Sequence, residues 1–94
     1  MVSPLLPVAL QHAAAHLRER GDFHFLNDEP EIFTTFQLAT LLDRFAHRLL
    51  AGDDREVNRL WYIFAVASTW DDAGGDSQIG QQVFDLIDAF RRPA

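Results

Sequence analysis

The sequence predicts an all-α domain, either a four-helix bundle or an array of helical hairpins, with a short irregular segment after the first helix. Two observations predict it. Four stretches repeat apolar residues at three- and four-residue steps, which at about 100° per residue fall on one face of a helix. Between them stand Gly21, Gly52 and the run Asp71-Asp72-Ala73-Gly74-Gly75-Asp76-Ser77, residue types that end one helix and cap the next.

Ser3 and Pro4 suit a helix start, as N-cap and first helical position, although Pro7 can move the regular start to about Val8. The first stripe is Leu6, Leu10, Ala13, Ala14 and Leu17, stopping at Gly21. The segment Asp22 to Glu31 is the least helical. Phe23 and Phe25 alternate with polar residues as in a short extended piece, and Pro30 disfavours a helical Glu29; the expectation is an ordered loop pinned by its phenylalanines. The second helix begins between Pro30 and Thr35 and ends at Ala51, with the stripe Leu38, Leu41, Leu42, Phe45 and Leu49. Gly52 suits a left-handed C-terminal cap, and Asp53 with Glu56 resembles a capping box, so a tight antiparallel hairpin to the third helix is expected.

The third helix, Asp53 to Trp70, is read as the central one. Val57, Leu60, Trp61, Phe64 and Ala67 form one stripe and Ile63, Val66 and Trp70 a second, so it needs cover from more than one side. The last helix, about Ser77 to Arg91, presents Ile79, Val83, Leu86, Ile87 and Phe90, with Phe84 on another side.

Composition narrows the function classes. The chain's 94 residues form one domain, 1–94, and 48% of them are apolar, too many for a disordered chain. Cysteine is absent, which excludes disulfides and thiolate metal sites. The N-terminus lacks the basic start of a signal peptide and no apolar run reaches membrane-spanning length, so a cytoplasmic protein without membrane contact is expected. All eight basic side chains are arginines and the net charge is −6. The missing lysine fits the codon bias of a GC-rich bacterial genome. An acidic chain is a poor general binder of nucleic acid, where affinity comes from neutralising phosphates, and a good match for a basic protein surface.

Several constellations compete with plainer readings. His12, His16 and Glu19 share a face of the first helix and could hold a metal, but the fourth ligand is missing and Ala13 follows the first histidine, unlike the metalloprotease motif. Asp71, Asp72 and Asp76 lack the alternating donors of a calcium loop and serve as helix caps. Arg44 and Arg48, near the end of the second helix, and Arg55 and Arg59, early in the third, gather into a local basic patch that could take a phosphate or carboxylate; local pairing with Asp43 or Glu56 is the competing reading. Phe84 lies off the stripe of the last helix, and Tyr62 and Trp70 face the poorer side of the third, so they mark a homodimer interface unless the Phe23 to Phe33 loop covers them. With no cysteine, three serines and no Gly-rich phosphate loop, the set offers no nucleophile, base and orienting group, so no enzyme activity and no cofactor or metal is expected.

From Thr34 to Phe90, the helix Phe36-Gln37-Leu38-Ala39-Thr40-Leu41-Leu42-Asp43-Arg44-Phe45, the Gly52-Asp53 turn, Arg59-Leu60-Trp61-Tyr62-Ile63-Phe64 and Val83-Phe84-Asp85-Leu86-Ile87 resemble small all-helical bacterial proteins of uncharacterised function, some of them like immunity proteins of toxin systems. The resemblance implies a helical fold and transfers no functional residue. Two readings stand: a non-catalytic interaction domain that docks a basic protein partner, as an inhibitor or immunity-type protein would; or a helical binder of a small ligand or metal through His12, His16 and Glu19 or through the arginine patch.

Overall fold

The computed structural model describes residues 5–20, 25–28, 31–65 and 69–91. Its elements in order are helix α1 (Leu5–Arg20), strands β1 (Phe25–Asp28) and β2 (Glu31–Thr34), and helices α2 (Thr35–Leu50), α3 (Val57–Ala65), α4 (Thr69–Asp72) and α5 (Ser77–Arg91). The core is all-α, as the four apolar stripes require.

Each long helix is bounded by chemistry written into its ends. Thr34 caps α2: its side chain accepts the Gln37 N–H while the Gln37 side chain accepts the Thr34 N–H, a capping box. At the other end Gly52 adopts φ 84°. The Asp53 N–H reaches the Arg48 carbonyl at 2.8 Å and the Gly52 N–H reaches Leu49 at 3.0 Å, so orphan carbonyls are satisfied in the Schellman pattern. α4 stops the same way, with Gly74 at φ 80° and the N–H groups of Gly75 and Gly74 on the carbonyls of Trp70 and Asp71. Asp76 then caps α5, its Oδ1 accepting the Gln78 and Ile79 N–H groups.

α1 buries Leu6, Leu10, Ala13, Ala14 and Leu17, packing along α2 on one side and α5 on another, and α5 in turn packs on α3. Ala13 and Ala14 of α1 and Ala39 and Ala46 of α2 are fully buried; such small side chains let helix axes approach. Arg18 pairs with Asp43 across α1 and α2 at 2.7 Å. At the far side Arg91 of α5 lies 4.4 Å over the Trp61 ring and donates to Asn58 Oδ1 at 3.1 Å, fastening α5 to α3.

The structure changes four expectations. The segment after α1 holds an antiparallel hairpin, with Phe25 opposite Thr34 and Asp28 opposite Glu31; the two strands supply each other's backbone hydrogen bonds, which an irregular loop would leave to water. The central position belongs to α1, flanked by α2 and α5, and not to the segment 53–70. α3 starts at Val57 because the expected Asp53–Glu56 capping box does not form: Asp53 turns to Arg55 and Glu56 to Arg48. Finally, α2 and α3 are not a tightly packed hairpin. Among the described residues the close backbone approaches between the long helices are α1 to α2, α1 to α5 and α3 to α5, and Phe45, Leu49, Val57 and Leu60 of α2 and α3 line a shared hollow. The Ser3–Pro4 start, the Gly21 stop, Val66 and Ala67 of the expected stripes, and the side chains of Phe23 and Phe25 lie outside the described residues.

Candidate functional site

Two grooves and one aromatic knot account for the residues singled out in the sequence. The first groove, of about 470 Å³, lies between α2 and α3 and is lined by Gln37, Thr40, Leu41, Arg44, Arg48, Glu56 and Arg59. It follows from the loose α2–α3 contact: the helix pairs close on three sides, and the fourth is left open. Three of the four expected arginines therefore converge. Arg44 and Arg48 sit one turn apart on α2, and Arg59 faces them from the first turn of α3. Arg48 is paired through Nη1 with Glu56 Oε1, half-exposed at both ends.

Arg55 does not join them. It clasps Asp53 with two side-chain bonds of 2.9 Å, and its own N–H reaches Asp53 Oδ1 at 3.1 Å. Those side-chain and backbone hydrogen bonds from Arg55 lower the Asp53 carboxyl from 3.8 to about 2, and the same bond raises the Arg55 guanidinium above its ordinary value. The patch foreseen as four arginines is thus three in one groove, with the fourth committed to the turn before α3.

The second groove, about 520 Å³, runs between α1 and α5. Leu5, Val8, Ala9 and His12 line one wall and Gln82, Asp85 and Leu86 the other. Leu5 and Val8 are 62% and 58% exposed, on a helix whose leucines Leu6, Leu10 and Leu17 are buried. The two helices run antiparallel here, since His16 at the other end of α1 meets Asp76 at the start of α5.

The aromatic residues separate. Trp70, expected at an interface, is 3% exposed and offers no surface to a partner. Its Nε1 donates to the Asp76 carbonyl at 2.9 Å, it stacks obliquely on Phe64 at 5.3 Å and on His16 at 6.0 Å, and Gly75 and Gly80 press against its ring. Phe84 is half-buried and, with Phe64, Trp70 and Gln81, lines a hollow of about 330 Å³. Tyr62 alone of the three stands out, at 45% exposure.

The trio His12, His16 and Glu19 does not assemble as a donor set. His16 Nε2 accepts the Asp76 N–H while His12 faces the α1–α5 groove, and among the described residues no group of three or more His, Asp or Glu converges to hold a metal. The acidic residues of the 71–76 run divide likewise: Asp71 and Asp72 are exposed on α4, and Asp76 is spent as the α5 cap. Asp85 pairs with Gln81 one turn away. None of this was legible as a groove in the sequence, because the partners of each helix are set by packing; the one available signal for the second groove was the apolar pair Leu5 and Val8 straddling the Leu6 stripe.

Fold and surface together define a small all-α domain with a basic groove on one side and an apolar groove on another. No helix of the described residues is long and apolar enough to cross a membrane. No family model matches the chain, and no curated protein and no solved structure matches it significantly.

Proposed function

We propose that the domain is a non-catalytic cytoplasmic interaction protein whose α1–α5 groove receives an amphipathic, basic helix of a partner protein. The observation that carries this reading is the exposure of Leu5 and Val8 beside Leu86, forming an apolar trough between two antiparallel helices. An apolar trough of this form suits a helix presenting anchors at i, i+3 or i+4 and i+7. Charge selects the sign of the flanks: the chain carries −6, and Asp85 stands at the groove's rim, so Arg or Lys beside the anchors is favoured and steered in. An inhibitor that docks on a basic toxin is one form such a protein takes, in line with the immunity-type resemblance.

The test is differential capture from the native host, with the parent and a Leu5→Ser/Val8→Ser variant as bait. The expected result is a basic protein retained by the parent, lost from the variant, and released by salt. Equal capture by both baits overturns the reading. So does a homodimer in sedimentation equilibrium that the double substitution dissociates, since a second copy would then occupy the groove.

A further inference from the structure

We propose that the hollow between α3, α4 and α5 binds a small arylalkylammonium ion, one aromatic ring carrying a protonated amine on a short arm. Each of the three helices contributes a ring: Phe64 from α3, Trp70 from α4 and Phe84 from α5. Trp70 is buried and forms the floor, while Phe64 and Phe84 are half-buried walls. The floor is fixed in place. Its indole Nε1 donates to the Asp76 carbonyl at 2.9 Å, Gly75 and Gly80 press against the ring, and Phe64 lies against it at 5.3 Å, tilted by 33°. Rings already held at such offsets accept a further ring by stacked or edge-to-face contact with little reorganisation. The volume, about 330 Å³, is at the small end of the range for ligand sites, which suits one ring and a short arm.

The polar rim decides the charge of the ligand. Asp71, Ser77 and Gln81 are the exposed polar residues around the opening, and Asp71 brings a carboxylate. Gln81 gives an amide N–H to the Asp85 carboxylate at 2.9 Å, which only its NH₂ can do, so its Oε1 is fixed as an acceptor. The Trp70 N–H is already committed to Asp76, and among the described residues no basic side chain lines the hollow. The start of α5, which could otherwise attract an anion, is closed because the Asp76 carboxylate takes the Gln78 and Ile79 N–H groups. Aromatic faces attract cations, and a chain of net charge −6 concentrates them at its surface. The ammonium therefore meets Asp71 at the mouth while the aryl ring enters between Phe64 and Phe84. The α1–α5 groove is a separate site whose apolar wall is aliphatic, so neither reading depends on the other.

The test is titration of the intact chain with 2-phenylethylammonium chloride, followed in ¹H–¹⁵N spectra that include the Trp70 indole, with neutral 2-phenylethanol and anionic phenylacetate as matched probes. Saturable shifts at the Trp70 indole, at Asp71 and from Ser77 to Phe84 are expected. The ammonium should bind about tenfold more tightly than the alcohol, the scale of one charge-assisted contact. Asp71→Asn, a change to an exposed side chain that leaves the fold intact, should erase that preference and leave the alcohol's affinity unchanged. Absence of any saturable shift overturns the proposal, as do equal affinities for ammonium and alcohol, tighter binding of phenylacetate, or an Asp71→Asn variant that keeps the preference. Shifts centred on Leu5, Val8 and Asp85 overturn it by placing the ligand in the α1–α5 groove. Shifts of the hollow's residues with protein concentration alone overturn it by placing a second copy of the chain there. Tighter binding of tetramethylammonium than of 2-phenylethylammonium overturns the assignment of an aryl body.

Discussion

His16 and Asp76, far apart in the chain, are joined by a hydrogen bond of 3.1 Å in which the imidazole Nε2 accepts the Asp76 backbone N–H. The Asp76 carbonyl is taken by the Trp70 indole, and its carboxylate caps α5. The N–H, the carbonyl and one carboxylate oxygen of one turn residue are thus satisfied by three different segments, and the α4–α5 turn is anchored to α1. An acceptor that a phenyl ring cannot supply leaves that N–H unpaired, so His16→Phe should cost about 1 kcal/mol in urea unfolding. Exchange of the Asp76 amide should speed up more than that of its neighbours; unchanged exchange would remove His16 from this role.

Gly80 sets two effects of opposite sign against each other. As an interior residue of α5 it should gain about 1 kcal/mol of helix propensity on replacement by alanine. A Cβ there, however, would lie 2.6 Å from the Trp70 indole, a ring held by its own hydrogen bond. Overpacking of that kind costs about 1–3 kcal/mol, so Gly80→Ala should melt below the parent. A higher melting temperature would show that Trp70 is free to move aside.

Thr69 is 2% exposed, and its hydroxyl has no hydrogen-bond partner among the described residues. A buried unpaired hydroxyl is a desolvation cost without return. Thr69→Val keeps the shape and removes the oxygen, so stability should be unchanged or rise by up to about 1 kcal/mol; a loss of that size would reveal a partner for the hydroxyl.

The Asp53 carboxyl, lowered from 3.8 to about 2 by its bonds from Arg55, gives a pH signature. Because the folded value lies below the unfolded one, the pair's contribution is full above the ordinary aspartate range and disappears as pH falls from 3.8 toward 2. A carboxyl titration followed by ¹³C shifts should show a midpoint near 2 for Asp53, moving back toward 3.8 in Arg55→Gln. An unmoved midpoint in the variant would assign the shift to something other than Arg55.

Capping of α2 offers a last check. Thr34→Ala removes one half of the Thr34–Gln37 box and should cost about 1 kcal/mol. The backbone N–H that donates to Gln37 Oε1 is retained in the variant, so the loss is that of the hydroxyl half alone; a melting temperature equal to the parent's would remove the hydroxyl from the stability of the cap.

What the sequence by itself determined was local. The end of the second helix at Ala51, within one residue of its observed end, and a capping run between Asp71 and Ser77 were readable because glycine, aspartate and serine act through their own backbone neighbours, and the apolar stripes followed from a period that needs no partner; the separate short α4, which ends at Asp72, was not. The Thr34-x-x-Gln37 box is equally local, yet the sequence reading placed the start of the second helix only between Pro30 and Thr35. Tertiary structure decided everything that depends on which surfaces meet. Trp70 looked like a surface aromatic until Gly75 and Gly80 gave it a slot, and His16 looked like a solvated histidine until the start of α5 gave it a donor. Asp53 and Glu56 fitted a capping box by spacing, but Arg55 and Arg48 offered charge-assisted partners and took both carboxylates. The arginine groove exists because α2 and α3, adjacent in the chain, pack against α1 and α5 more closely than against each other, a choice made by buried area summed over the whole core and invisible in either helix alone.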